Sequence, residues 1–458
     1  MSKYGRQYLI CFFAYIGQII FGYAGGWPAP IFSKLHDPGQ FPVPPSDMEY
    51  NWVISSLYVG AVVGALALSR LSNVIGRKSF LIIGDVGIIL SYVGLILIKH
   101  ILALWILRFI MGMSIAFIYC VNLVYIGEIA STEIRGKLLG SFMIYFSFGF
   151  LLVYIVGGYA SYDFVNYFAL AMSVMYLGGL YFAPESPIYH LLKGRNEEAR
   201  ATLIALNRKE DAENLTELKL QIENNKGTLE WKTLFMVKCN RKALIITGLL
   251  YGFQQLSGVP ILRNYATTIF DIAESSVAPH VAMIIIGSVQ FISAFITIMA
   301  VENCGRRILL LMSTSCCCLS MLVLALYFYL YDNGVEFVSN IKWVPLVASV
   351  TFLAAFTPGF GVIPGTLVGE MFEVDVRNKG TAIVLAFSWF MSIFTITSFG
   401  VIITNMGMYV AFATFSVVAA CAFLCTLFLV PETKGKTLIE VQKMLSNSSS
   451  SSSSSSQP

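Results

Sequence analysis

Long apolar runs of about 20 residues alternate with short polar intervals along most of this chain. A run of that length lets an α-helix cross the hydrocarbon core of a lipid bilayer. Six runs precede residue 184 and six follow residue 242. The predicted spans cover residues 8–27, 51–70, 79–98, 101–126, 139–159, 165–183, 243–266, 279–301, 308–331, 342–369, 379–403 and 407–430.

One long polar interval, residues 184–242, divides the chain into two halves. Eleven of the 30 basic residues fall within it, and basic loops mark the cytoplasmic side of membrane proteins. Four parts are predicted: a six-helix half at 1–183, a cytoplasmic loop with short amphipathic helices at 184–242, a second six-helix half at 243–430, and a cytoplasmic tail at 431–458. The Ser-rich end of the tail is predicted to be disordered, and both chain termini to be cytoplasmic.

Composition excludes a soluble globular domain, because 57% of the residues are hydrophobic and only 12% are charged. The sequence predicts an all-α polytopic membrane protein with twelve transmembrane helices in two six-helix pseudo-repeats. The net charge of +4 comes from short loops beside apolar runs, so it indicates topology and not affinity for nucleic acid. The nine cysteines and four histidines show no metal-ligand or catalytic spacing, and we expect no metal, no cofactor and no enzymatic activity.

Three charged signatures of the first half return in the same order in the second half. Gly76-Arg77-Lys78 returns as Gly305-Arg306-Arg307, Glu128 with Arg135 returns as Glu370 with Arg377, and Pro184-Glu185-Ser186 returns as Pro431-Glu432-Thr433. The offsets of 229, 242 and 247 residues indicate parallel repeats, as found in transporters that rock around a central site.

These recurring charges have two interpretations. In the first, they form an inner latch that pairs residues of the two halves while the inside is closed. In the second, the basic residues set topology and the acids are solvated counterions. Duplication favours the latch, whose predicted members are Arg77, Glu128, Arg135, Glu185, Arg306, Glu370, Arg377 and Glu432.

Further motifs resemble the sugar porter family of the major facilitator superfamily, and within it the insect trehalose transporters. The motifs are Arg108-Phe109-Ile110-Met111-Gly112, Tyr125-Ile126-Gly127-Glu128-Ile129-Ala130, Gln254-Gln255-Leu256-Ser257-Gly258, Gly359-Phe360-Gly361, Gly369-Glu370-Met371-Phe372 and Pro431-Glu432-Thr433-Lys434-Gly435-Lys436-Thr437-Leu438. The resemblance implies a twelve-helix alternating-access carrier with a sugar site between the halves.

Polar side chains inside spans are candidates to bind sugar hydroxyls. The resemblance gives this role to Gln254 and Gln255, places Gln290 where the family has an Asn that contacts sugar, and matches Trp389 to an aromatic residue of the site. Tyr265 completes the predicted substrate-binding set. The alternative for the glutamines is hydrogen bonding between helices. Helix breaks are predicted at Gly258, Pro260 and Pro364.

Four positions depart from the family pattern and would remove hydrogen bonds to a hexose: Met143, Pro260, Gly365 and Ser388. Arg263 is a further oddity, because it places a charge within a span. Its position near the predicted outer end favours a side chain that snorkels to the membrane interface. The alternative is that it contributes to an outer gate or attracts an anionic solute.

Proton-coupled relatives carry an Asp after Gly-Tyr in the first span, whereas Gly22-Tyr23 is followed here by Ala24. No titratable group that could carry protons is evident in the first half, and no nucleotide-binding loop occurs. We therefore expect a monomeric uniporter for trehalose or a hexose in the plasma membrane, whose partners are the sugar and the lipid bilayer. The alternatives are a carrier for another small solute and a transporter-like sensor that does not transport.

Overall fold

The computed structural model describes residues 4–37, 40–216, 219–220 and 231–447, and within these ranges the secondary structure is helical, without strands. Residues 448–458 of the Ser-rich tail lie outside the described residues. Ten of the described helices are long and apolar enough to cross a membrane. Two further spans are each built from shorter helices, so the predicted count of twelve is reached.

The first half contains spans 1 to 6. They are Gly5–Gly26 (span 1), Asp47–Ile75 (span 2), Arg77–Leu97 (span 3), Ile101–Ile129 (span 4), Thr132–Gly140 with Phe142–Tyr159 (span 5), and Tyr162–Phe182 (span 6). Span 4 approaches span 2 closely at Gly112, where an added Cβ would lie 1.8 Å from the main-chain oxygen of Leu57. Glycine is therefore required at this point of the Arg108–Gly112 motif.

The second half contains spans 7 to 12. They are Lys238–Leu256 with Val259–Asn264 and Ala266–Ile272 (span 7), Pro279–Cys304 (span 8), Arg306–Asp332 (span 9), Val344–Phe356 with Ile363–Met371 (span 10), Val374–Met406 (span 11), and Met408–Leu429 (span 12). Within this half, spans 7 and 10 are interrupted.

The interruption of span 7 centres on Gly258, whose φ of +89° lies in the left-handed region. Helix breaks were predicted at Pro260 and Pro364, but neither proline lies inside a helix and interrupts it. Each is near the first residue of the next helical segment, Val259–Asn264 or Ile363–Met371, where the missing N–H of proline costs no helical hydrogen bond.

The connection after span 1 includes a short helix. Pro28–Lys34 is helical and follows span 1 almost directly. Proline is tolerated at the start of this short helix for the same reason as above. Span 2 then begins with a capping box, in which Ser46 and Glu49 exchange hydrogen bonds between side chain and main chain.

The two halves face each other through span 2 against span 11 and span 5 against span 8. Hydrogen bonds join the halves on the side that carries Pro28–Lys34, called the outer side below. Tyr154 donates to the main-chain oxygen of Arg263 at 2.9 Å, and Thr267 donates to that of Ala29 at 2.6 Å. These bonds close the outer side of the bundle.

Short helices occupy the opposite, inner side. Those described within the predicted loop are Pro187–Leu192, Asn196–Ala205, Lys209–Glu213 and Trp231–Met236. Arg208 fixes this region to the first half by donating to the main-chain oxygen of Glu128 at 2.7 Å. The tail helix Leu438–Asn447 packs against Lys238–Leu256 and Ile363–Met371 of the second half.

Candidate functional site

A cavity lies between the two halves and draws its wall from spans 1, 2, 4 and 5 and from spans 7, 8, 10 and 11. The lining residues of this central cavity are Phe21, Gly25, Leu57, Tyr58, Ala61, Ile115, Tyr119, Phe142, Met143, Phe146, Ser147, Phe150, Tyr251, Gln254, Gln255, Pro260, Arg263, Gln290, Phe356, Thr357, Gly361, Leu385, Ser388 and Trp389. The wall is largely aromatic and apolar, with a few polar groups, as is typical of small-molecule sites.

Gln254 links the two interrupted spans. Its amide nitrogen donates to the main-chain oxygens of Phe360, at 2.6 Å, and Gly361, at 3.2 Å, both in the interruption of span 10. Carbonyl groups freed by a broken helix need such partners inside a membrane. Gln254 therefore holds the broken segment in place while it also lines the cavity.

Gln255 continues this chain of hydrogen bonds. Its amide nitrogen donates to the side-chain oxygen of Gln254 at 3.0 Å, and its own side-chain oxygen accepts from the hydroxyl of Ser392 at 2.9 Å. The hydrogen bonding between helices that was the alternative interpretation is thus present, and both glutamines still line the cavity. Because each amide is held by protein partners, its orientation is fixed before any ligand arrives.

Gln290 differs from this pair. Its side chain is buried in span 8, and its amide oxygen has no hydrogen-bond partner among the described residues. A buried acceptor without a partner is costly, so it would gain from a ligand donor. Trp389 lines the same cavity and meets Tyr119 of the first half edge to face, with ring centroids 6.0 Å apart.

Tyr265 does not line the central cavity. Its hydroxyl donates to the side-chain oxygen of Asn51, and its ring packs on Phe399 at a centroid distance of 5.3 Å. Asn51 belongs to the first half, so Tyr265 bridges the halves on the outer side. The structure brings together the other predicted substrate residues and leaves Tyr265 apart from them.

Arg263 faces the central cavity, and the prediction that it snorkels to the outer interface is wrong. Its guanidinium carbon lies 5.0 Å from the ring centroid of Phe150, 5.5 Å from that of Phe356 and 5.7 Å from that of Phe146. These three rings belong to spans 5 and 10. The interruption at Gly258 changes the helical phase, so Val259–Asn264 turns Arg263 inward and not toward lipid.

The positions that depart from the family pattern also have defined places. Met143, Pro260 and Ser388 line the cavity, whereas Gly365 does not. A Cβ added at Gly365 would lie 3.0 Å from the hydroxyl of Tyr251. Tyr251, a lining residue, therefore occupies space that a larger side chain at 365 would need.

The inner charges form two similar clusters, one in each half. In the first half, Arg77 pairs with Glu128 at 3.2 Å, and Glu128 also accepts from the hydroxyl of Ser186. Glu185 accepts from the main-chain N–H groups of Arg77 and Lys78 at the start of span 3, both at 3.0 Å. Glu185 therefore holds the start of the span by its free N–H groups, while Glu128 holds the side chain of Arg77.

The second half repeats this arrangement. Arg306 pairs with Glu370 at 2.9 Å, and Thr433 donates to Glu370 at 2.6 Å. Glu432 accepts from the main-chain N–H groups of Arg306, at 3.0 Å, and Arg307, at 3.1 Å. The duplication seen in the sequence therefore extends to the hydrogen bonds.

The remaining predicted latch members, Arg135 and Arg377, make equivalent hydrogen bonds in the two halves. Arg135 donates to the main-chain oxygen of Ala130 at 3.3 Å, and Arg377 donates to that of Phe372 at 3.4 Å. All of these bonds join residues of the same half, whereas the latch was expected to pair residues across the halves. The difference arises because each acid lies at the end of a span that packs beside its own Arg-bearing loop.

For two buried residues of the first half, no role was predicted from the sequence. Arg108 of span 4 is buried and donates to the main-chain oxygen of Ala24 at 3.0 Å. Asp85 of span 3 is fully buried, and neither of its carboxyl oxygens has a partner among the described residues. Asp85 is therefore a titratable group within a span of the first half, and the lone acid within the apolar run 79–98 was the available signal.

The sequence matches a known family and several of its members. Residues 10–445 match the family described as "Sugar (and other) transporter". The facilitated trehalose transporter Tret1 of Bombyx mori is 29% identical over 458 residues, covering 99% of this chain and 89% of the relative. Tret1 of Drosophila virilis is 28% identical over 435 residues, covering 94% of this chain but 48% of the relative. The chain thus spans about half the length of the Drosophila relatives it matches.

Solved structures show the same fold. The inward open conformation of the xylose transporter XylE from E. coli superposes with a TM-score of 0.78 at 23% identity, covering 96% of this chain and 99% of that chain. XylE, described as a major facilitator superfamily proton:xylose symporter and bound to 6-bromo-6-deoxy-D-glucose, gives a TM-score of 0.77 at 24% identity over 97% of this chain and 99% of that one. The predicted twelve-helix fold class is confirmed. The chain belongs to the Sugar (and other) transporter family.

Proposed function

We propose that this protein is a uniporter that carries a sugar, trehalose or a hexose, across the plasma membrane by alternating access. The observation that carries the proposal is the central cavity itself. Both halves line it, and Gln254, Gln255 and Gln290 present amide groups to it. An uncharged polyhydroxyl ligand needs such donors and acceptors once its water is removed.

The cavity is shut on one side by hydrogen bonds between the halves at the outer side. With its outer side closed in this way, the cavity would open to the inside. Alternating access then requires these outer bonds to break while the inner ends approach each other. We place both termini and the basic loop 184–242 on the cytoplasmic side, since that arrangement keeps the basic residues inside.

Downhill transport is supported by the surroundings of Ala24. Proton-coupled relatives carry an Asp there, and in this chain Arg108 donates to the main-chain oxygen of Ala24. Asp85 is buried in span 3 and does not line the central cavity, so no acidic group among the described lining residues could couple protonation to binding.

The inner clusters would act within each half in this mechanism. Each cluster ties the start of span 3 or span 9 to the end of span 4 or span 10. We propose that Arg77, Glu128, Arg306 and Glu370 keep these ends together as one rigid unit. The latch would then be formed by whole clusters that approach each other, and not by single pairs across the halves.

Uptake of radiolabelled trehalose and glucose in oocytes tests the proposal, with the surface level measured by labelling. The expected result is saturable uptake of at least one sugar, reduced by Gln255→Ala at an equal surface level. Tyr329→Phe is a matched control, because Tyr329 is an exposed residue of span 9 outside the cavity. Absence of uptake of either sugar at a normal surface level would overturn the proposal.

A further inference from the structure

Arg263 carries the only basic side chain among the described residues that line the central cavity, and no Asp or Glu lines it. No described residue accepts a hydrogen bond from its guanidinium group, and Nε is buried without a partner. Tyr58 lines the same cavity, and Tyr154 donates to the main-chain oxygen of Arg263. The charge at the centre of the protein therefore has no anionic partner within the described residues.

The three rings of Phe146, Phe150 and Phe356 surround this guanidinium. Aromatic faces attract a cation, so they hold Arg263 in position. They cannot accept its directional hydrogen bonds or neutralise its charge. A guanidinium fixed in this way is prepared to bind a planar oxyanion through two parallel hydrogen bonds.

Arg108 shows what a purely structural arginine looks like in the same fold. It is buried away from the central cavity, donates to the main-chain oxygen of Ala24 and lies over the ring of Trp27, 5.0 Å from its centroid. Nε is buried without a partner in both arginines, and Nη2 of Arg108 is as well. The difference is one of position, because Arg263 lines the central cavity and Arg108 does not. This position at the cavity wall assigns Arg263 to a ligand.

Charge and hydroxyl recognition together define the ligand. Gln290 offers an acceptor without a partner, which suits a hydroxyl donor, and Gln255 lines the same space. A single arginine balances a single negative charge, so a monocarboxylate would leave the loaded cavity neutral, whereas a phosphate dianion would not. Neutrality matters because a net charge is costly inside the membrane.

We propose that the central cavity binds a sugar acid, a monosaccharide that carries one carboxylate, with Arg263 paired to the carboxylate and Gln290 to a hydroxyl. The inference rests on the proposed function, since it takes the central cavity to be the transport site. It replaces a neutral sugar by an anionic one as the better substrate.

The test compares radiolabelled glucuronate with glucose and trehalose, in oocytes and in proteoliposomes. For the wild-type protein, we expect glucuronate to be taken up. We also expect it to inhibit the uptake of a radiolabelled sugar at a concentration at least about tenfold lower than unlabelled glucose requires. Each turnover would move one negative charge, so an inside-positive potential should speed glucuronate uptake and leave glucose uptake unchanged.

Arg263→Gln should lower glucuronate uptake about tenfold or more, and by a larger factor than it lowers glucose uptake. Lys342→Gln removes a positive charge from the outer surface, where Lys342 pairs with Glu274 at 2.7 Å, and should leave both uptakes unchanged. If Arg263→Gln fails to reach the surface, Arg263→Lys replaces it. That variant keeps the positive charge but lacks the planar guanidinium group. Its glucuronate uptake should therefore lie between that of the wild-type protein and no uptake.

Three results would overturn the inference. Uptake of glucose or trehalose with neither uptake of nor competition by glucuronate would refute the sugar-acid site and leave the proposed carrier standing. Equal losses of all uptakes in Arg263→Gln, at a normal surface level, would make Arg263 a general structural residue. No uptake of any of the three solutes would refute the proposed function together with the inference.

Discussion

Arg108 donates a hydrogen bond of 3.0 Å to the main-chain oxygen of Ala24, and both residues are buried. This contact joins span 4 to span 1 at the position where proton-coupled relatives have an acid. A neutral carbonyl cannot gain or lose a proton, so the contact places no titratable acid at this position.

From this contact we expect uptake by the wild-type protein to be unchanged by a protonophore. Among the residues of spans 1 to 3 whose burial the structure describes, the buried acid is Asp85. An ionised carboxylate without a partner would be very costly there, so it is expected to be neutral throughout. Asp85→Asn should consequently retain uptake and surface level.

Uptake measured in vesicles, with and without the protonophore, checks both statements. A collapse of uptake in wild type that disappears in Asp85→Asn would show instead that Asp85 carries a proton. A collapse that persists in Asp85→Asn would place the coupling group elsewhere.

Gln290→Ala should weaken binding of a hydroxylated substrate. Loss of one hydrogen bond to the ligand corresponds to about 1.4 kcal/mol, or about a tenfold rise in KM. Gln18→Ala is the matched control, because Gln18 is also buried, has an amide group without partners among the described residues, and does not line the central cavity. Concentration-dependent uptake measures both values, and equal KM values for the two variants would contradict a ligand role for Gln290.

The two inner ion pairs should differ in strength. The side chains of Arg77 and Glu128 are 8% and 11% exposed, whereas those of Arg306 and Glu370 are 19% and 27% exposed. Glu128→Gln leaves a more deeply buried arginine without its carboxylate, which we expect to cost about 3 kcal/mol of the free energy of unfolding. Glu370→Gln should cost about 1 kcal/mol, nearer to the value for exposed pairs.

Thermal unfolding of the purified protein in detergent compares these variants. Glu128→Gln should show the lower Tm. A lower Tm for Glu370→Gln would indicate that burial does not determine the strength of these pairs.

Glu432 should make stability depend on pH in the acidic range. Burial acts to raise the pKa of its carboxyl, but hydrogen bonds from the main-chain N–H groups of Lys434, Arg306, Arg307 and Thr433 outweigh it and lower the pKa below the ordinary 4.5. The unfolded chain therefore binds this proton more readily than the folded protein. The stabilisation is present above pH 4.5 and is lost as the pH falls through the lower folded pKa.

Glu432→Gln should accordingly have a lower Tm than wild type near neutral pH, and the difference should shrink as the pH falls below 4.5. Unfolding curves of both proteins over a pH series measure this change. A Tm difference that stays constant on acidification would show that Glu432 stabilises the protein without a shifted pKa.

The sequence by itself determined the number of spans, the division into two halves and the duplicated charges. These features are local, because the length of an apolar run and the side of its basic flanks decide whether and how a helix crosses the membrane. The Gln254-Gln255 motif likewise pointed to residues that the structure places at the central cavity. Family resemblance supplied their role, since hydropathy alone cannot tell a ligand contact from a contact between helices.

Only the tertiary structure decided which way Arg263 and Tyr265 face. Helical periodicity predicts direction along an unbroken helix, but the left-handed residue Gly258 resets the phase of span 7. Pairing was also beyond the sequence, because Arg77 and Glu128 lie 51 residues apart and meet only through the packing of spans 3 and 4. Direction after a helix break and partners between helices both depend on where whole helices lie relative to one another, which no local pattern encodes.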